Sequence, residues 1–163
     1  MIPKIKKILY ATDLSENARY AFSYAADLAQ RYDTMITILY VMENINHVME
    51  IQIKDMMGQE KWDRLQSEKL DDITQKIKAR LEDFCKEMDS QIDSCRLLIE
   101  DIRITKGNPT EIILKTAKDI HADMIVMGSH GHNILRDAFI GGTARRVVKK
   151  SETPVLVVKL PKI

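Results

Sequence analysis

Two hydrophobic periods alternate along this chain. Short apolar runs at Ile8-Leu9-Tyr10, Met35–Val41, Met124–Met127 and Val155–Val158 have the length and residue types of buried strands. The first ends near Thr12, and Pro154 introduces the last. Elsewhere apolar residues recur with helical spacing. Ser15 can cap a helix whose first turn carries Glu16, and Ala18, Ala21, Ala25, Leu28 and Tyr32 then share one face. The small alanines predict close packing on a sheet. Trp62, Leu65, Ile73, Ile77, Leu81, Phe84 and Met88 mark a longer helix. Asn108-Pro109-Thr110-Glu111 is a helix start, with Asn as cap, Pro in the first turn and Glu three residues on; that helix should run to about Ile120. A basic helical pattern covers Ala144 to Lys150. A further strand is expected within Ser94–Thr105, and Met42–Gly58, weakly periodic, reads as a long connection with partial helix.

The order is therefore β-α-β-α-β-α-β-α-β, which favours a parallel sheet with helices on both faces. No internal repeat, low-complexity tract or linker divides the sequence, so residues 1–163 are expected to form one α/β domain.

Composition narrows the function classes. Hydrophobic residues make up 45% and charged residues 30%, as in an ordinary globule. The 25 basic and 24 acidic side chains leave a net charge of +1, so no global field draws the chain to nucleic acid or to a membrane. No apolar run is long enough to span a bilayer, and lysines interrupt the amino terminus where a signal peptide would be apolar. Cys85 and Cys95 match no metal or redox spacing and make a poor disulfide framework, so reduced thiols and a cytoplasmic location are expected.

Candidate chemistry concentrates in Gly128-Ser129-His130-Gly131-His132-Asn133 and Gly141-Gly142-Thr143. An apolar strand ending at Met127 opens into a glycine-punctuated loop, and a glycine-rich turn then starts a helix. Glycines admit an anion close to backbone N–H groups, and helix-start N–H groups lack internal partners. In open parallel sheets, ligands bind beyond the carboxyl ends of strands where the winding reverses. Thr12-Asp13 after the first strand and the glycine loop after the fourth meet that condition if the two strands are neighbours. The Thr143 hydroxyl could add a donor. Asp13 could accept from a sugar hydroxyl or a base amine, or help hold a divalent cation. Val41 ends the second strand on the same edge, where its backbone could pair with a planar base.

Blander readings stand beside each of these. The glycines can be plain turn formers, and Asp13 only a helix cap beside Ser15. Arg145, Arg146, Lys149 and Lys150 suit a solvated helix face near the negative end of the dipole. His130 and His132, without a third nearby ligand, favour a structural or phosphate-contact role over metal binding. His121 reads as a helix-end residue. Met42, Met49, Met56 and Met57 fill core or form a partner surface. There is no Gly-x4-Gly-Lys-Ser/Thr loop, no Gly-x-Gly-x-x-Gly after the first strand and no Gly-x-Ser-x-Gly elbow. No catalytic nucleophile is evident.

At these residues the chain resembles the universal stress protein family, from about Lys4 to Lys159. Nucleotide-binding members carry Gly-x2-Gly-x9-Gly-Ser/Thr; here Gly128-x2-Gly131-x9-Gly141 is followed by Gly142. Ile8 to Ser15 (ILYATDLS) resembles the family's first strand and loop, and Thr153 to Val158 (TPVLVV) its last strand. The resemblance implies a flavodoxin-like, Rossmann-like three-layer sandwich with a five-stranded parallel sheet of order 3-2-1-4-5. It also implies a homodimer through Val155–Val158 and binding of ATP or another adenine nucleotide, with Mg²⁺ or Mn²⁺. On that likeness Asp13 and Val41 would hold the adenosine, with the backbone at Ala11 nearby, and Thr12 and Met127 would belong to the same cofactor site. Gly128 to Asn133 and Gly141 to Thr143 would surround ribose and phosphates. Gly142 removes the family hydroxyl, which weakens a phosphate contact unless Thr143 supplies it. Alternatives are a dimeric interaction module without nucleotide, with an unknown protein partner, and a slow ATPase, for which no general base is evident.

Overall fold

A computed structural model describes residues 1–88, 95–131 and 140–161. Five parallel strands form one sheet: β1 (Lys7–Thr12), β2 (Met35–Met42), β3 (Ile99–Lys106), β4 (Met124–Gly128) and β5 (Val155–Val158), in the order β3-β2-β1-β4-β5. The period-two alternation of side chains divides the core between the faces. On one face Ile8, Tyr10, Ile36, Ile38 and Val126 pack with α1 (Glu16–Tyr32) and with α3 (Gln59–Glu87). On the other, Leu9, Ala11, Leu39, Ile125 and Met127 pack with α4 (Pro109–Asp119) and α5 (Gly142–Lys150). The layered α/β architecture expected from the alternation is therefore present.

The caps read from the sequence are formed. Ser15 accepts the Ala18 N–H at 3.1 Å, and Asn108 accepts the Glu111 N–H at 3.2 Å. On α1 the buried stripe is Ala18, Ala21, Phe22, Ala25, Ala26 and Ala29, so alanines bring the helix close to the sheet. Tyr32, expected on that face, is 53% exposed, because the helix ends there and Asp33 turns away in a left-handed conformation.

One further expectation is sharpened and one is corrected. Most of Met42–Gly58 is a helix, α2 (His47–Met57), capped by Asn46. None of its residues is buried, so no apolar stripe announced it. Met42 is core, whereas Met49 and Met56 are exposed. Cys85, on α3, and Cys95, in a single 3₁₀ turn (Cys95–Leu98), are joined in a disulfide and are not reduced thiols. Ten residues apart in sequence, they lie 5.5 Å apart between Cα atoms, because the end of α3 and the approach to β3 pack against the same cluster.

Candidate functional site

The winding reverses between β1 and β4, and a cavity of about 580 Å³ opens beyond their carboxyl ends. Ala11, Thr12, Asp13, Val41, Met127, Gly128, Ser129, His130, Gly131, Gly141, Gly142 and Thr143 all line it. His132 and Asn133 lie outside the described residues. Pairing of β2 with β1 stops at Tyr40, opposite Thr12, so Val41 and Met42 extend past the end of β1 along the cavity wall.

Gly128, Gly131 and Gly141 serve close approach and not left-handed turns, since none has a positive φ. A Cβ on Gly128 would lie 2.9 Å from Asn17 Oδ1, and one on Gly141 2.9 Å from the Ser129 carbonyl oxygen. A Cβ on Gly131 would run into the Asp13 carboxylate. The glycine spacing thus records three protein contacts that shape the loop, and only through that shape an opening for a ligand.

The loop's root hangs on a residue that the sequence reading missed. Asn17, in the first turn of α1, is 3% exposed. Its Oδ1 accepts the His130 N–H at 2.7 Å and the Ser129 hydroxyl at 3.3 Å, while its Nδ2 donates to the Val158 carbonyl at 3.1 Å. Backbone N–H can only donate and carbonyl only accept, so these partners fix the orientation of the amide. The Ser129 N–H donates to the same Val158 oxygen at 2.8 Å. With the serine proton on Asn17, the Nδ1–H tautomer of His130 donates to Ser129 Oγ at 2.8 Å. One signal was available: Asn17 falls four residues before Ala21 on the apolar stripe of α1.

Some amides expected to face a ligand are therefore engaged. Ser129 and His130 donate as above, and the Gly141 N–H closes the loop onto the Ser129 carbonyl at 2.7 Å. Other donors remain. Gly141 is the N-cap of α5 and has no side chain to cap with, and the first intrahelical bond runs from Arg145 to the Gly141 carbonyl. The N–H groups of Gly142, Thr143 and Ala144 have no acceptor within the helix, and all three residues line the cavity. The positive end of the α5 dipole thus opens into the cavity.

Asp13 stands beside the α1 cap and also lines the cavity. Its Oδ1 accepts the Ser15 N–H at 2.9 Å just before the α1 cap, and its Oδ2 is the atom that Gly131 leaves room for. Glu43 and Lys69 also line the cavity and were not legible, since they come from the end of β2 and from α3. Tyr40 lines it too; partial burial, then the Asp13 charge, raises its pKa above the ordinary phenol value. Among the described residues no group of three His, Cys, Asp or Glu side chains could hold a metal ion, and no helix is long and apolar enough to cross a membrane.

Comparison with known proteins agrees with the fold. Residues 4–159 match the model of the universal stress protein family. The universal stress protein MJ0577 of Methanocaldococcus jannaschii is 32% identical over 162 residues, covering 94% of each chain. Its solved structure aligns with a TM-score of 0.70 over 99% of this chain and 100% of that one. The stress response protein NhaX of Bacillus subtilis is 29% identical, covering 94% of this chain and 97% of that protein. The structure of universal stress protein UspA from Lactobacillus plantarum aligns with a TM-score of 0.72 at 25% identity, covering 96% of this chain and 99% of that one.

Proposed function

The chain belongs to the universal stress protein family, and on that premise we propose that it binds ATP or another adenine nucleotide in the cavity between β1 and β4. The observation that carries this reading is the uncapped start of α5, where Gly142, Thr143 and Ala144 bring N–H groups to the cavity wall. The phosphates rest on those amides, with the Thr143 hydroxyl in place of the side chain that Gly142 lacks. Asp13 accepts from the ribose, and the base lies along Val41, where β2 outruns β1. The residues fit a nucleotide-bound Mg²⁺ or Mn²⁺ better than a resident ion, since phosphate oxygens must complete a ligand set that the described side chains do not. Bound in this way, the ion neutralises phosphate charge, while the chain's own residues orient the nucleotide.

The same premise supports a homodimer through β5. This strand ends the sheet order, and Val155, Leu156 and Val157 are only half-buried.

Titration calorimetry with ATP and Mg²⁺, alongside mass spectrometry of small molecules released from fresh protein, tests the nucleotide reading. Saturable binding that Asp13→Ala weakens for ATP more than for inorganic phosphate is expected. No heat and no co-purifying nucleotide would overturn it.

A further inference from the structure

Arg146 stands outside the cavity lining, yet its side chain runs back along α5 toward the cavity. A Cβ on Gly142 would lie 3.2 Å from its Nη1 and 3.6 Å from its Nη2, so the guanidinium occupies the space that the missing side chain leaves free. Its Nε donates to Thr110 Oγ1 at 3.3 Å, which steers the group across the gap between the starts of α4 and α5. Thr110 is 3% exposed, a fixed anchor for a residue that is itself exposed. Arg146 makes no ion pair among the described residues. Here the glycine lets a planar cation lie beside uncapped helix donors.

We infer that Arg146 is a specificity-determining residue that recognises the outer phosphates of a nucleoside di- or triphosphate. The inference rests on the nucleotide reading above and deepens it. The phosphate nearest the sugar sits on the amides of Thr143 and Ala144, which are less exposed than Gly142, where the guanidinium lies. A longer phosphate chain leaves the cavity over Gly142 and meets the guanidinium, which can bind two oxygens at once. The glycine at position 142 thus exchanges a short hydroxyl donor for a long charged one.

The test compares ATP, ADP and AMP by titration calorimetry on the full chain and on Arg146→Gln and Arg146→Lys, at two salt concentrations. Arg146→Gln should weaken ATP binding about tenfold or more, the range of a charge-assisted hydrogen bond, while changing AMP binding less than twofold. It should also flatten the salt dependence of ATP affinity. Arg146→Lys should keep the salt dependence and recover part of the affinity. Equal losses for ATP and AMP, or no loss for either, would overturn the inference while leaving nucleotide binding intact. If the unaltered chain binds none of the three, the underlying reading fails and this one with it. Unchanged melting temperatures would exclude misfolding, as expected for an exposed side chain.

Discussion

Replacing Asn17 with Asp should be far more damaging than its near-identical shape implies. The carboxylate keeps both acceptor contacts, with the His130 N–H and the Ser129 hydroxyl, at 2.7 and 3.3 Å. It loses the donor to Val158 and sets an oxygen against a carbonyl oxygen 3.1 Å away. The lost hydrogen bond costs about 0.5–1.5 kcal/mol. Burying a charge at a 3% exposed position costs several kcal/mol, which two charge-assisted bonds offset in part. A net loss of about 3 kcal/mol at pH 7 follows, the lower end of the range for leaving a buried charge uncompensated. Protonation restores a donor, which gives the prediction a sign. The introduced carboxyl has a folded pKa raised above its unfolded value of about 3.9. Its protonated form therefore stabilises the fold at low pH, and that stability is lost as pH rises through the folded pKa. Urea denaturation of both proteins at pH 7 and pH 5 measures this directly. A destabilisation below about 1 kcal/mol, or one that does not shrink on acidification, would refute the assigned network.

Other expectations follow from the same geometry. Gly131→Val should reduce ATP affinity at least tenfold, about 1.4 kcal/mol, by displacing the Asp13 carboxylate; an equally large fall in melting temperature would mark the glycine as a folding residue instead. Reducing the Cys85–Cys95 disulfide, or replacing both cysteines with Ser, should cost about 2–3 kcal/mol for a loop of this length. That corresponds to a calorimetric shift of about 5–10 °C, and no shift would contradict the cross-link. Burial raises the pKa of Tyr10, whose hydroxyl donates to the Ala18 carbonyl at 2.6 Å. Its contribution is therefore full below the ordinary phenol value of 10 and is lost as pH rises beyond it. Tyr10→Phe should lower stability by about 1 kcal/mol at pH 7 and weaken the decline in alkaline unfolding curves; an unchanged decline would exclude Tyr10 as its source.

What could be read in advance depended on whether a residue's role was local. Strands such as Ile8-Leu9-Tyr10 and caps such as Ser15 and Asn108 are set by neighbours within a few positions, and the structure keeps them. The helix at His47–Met57 was legible only as partial helix, because it buries no residue and the apolar period that reveals most helices was missing. Lys69 and Glu43 reach the cavity through the path of the chain between β2 and β3, which local spacing does not encode. The disulfide likewise required knowing where α3 ends. The glycine motif was legible as a place, but Gly128 and Gly141 proved to be shaped by Asn17 and Ser129. Asn17 itself, polar on a stripe of alanines, was the one visible anomaly left unread.

The Val158 oxygen, which takes hydrogens from both Asn17 and Ser129, makes one atom a hinge pin between the margin of the sheet and the threshold of the crevice. A neighbour zipped along that margin would tug on the same pin that holds the threshold in place. If the proposed dimer and the proposed ligand both form, loosening one should be felt as slack in the other.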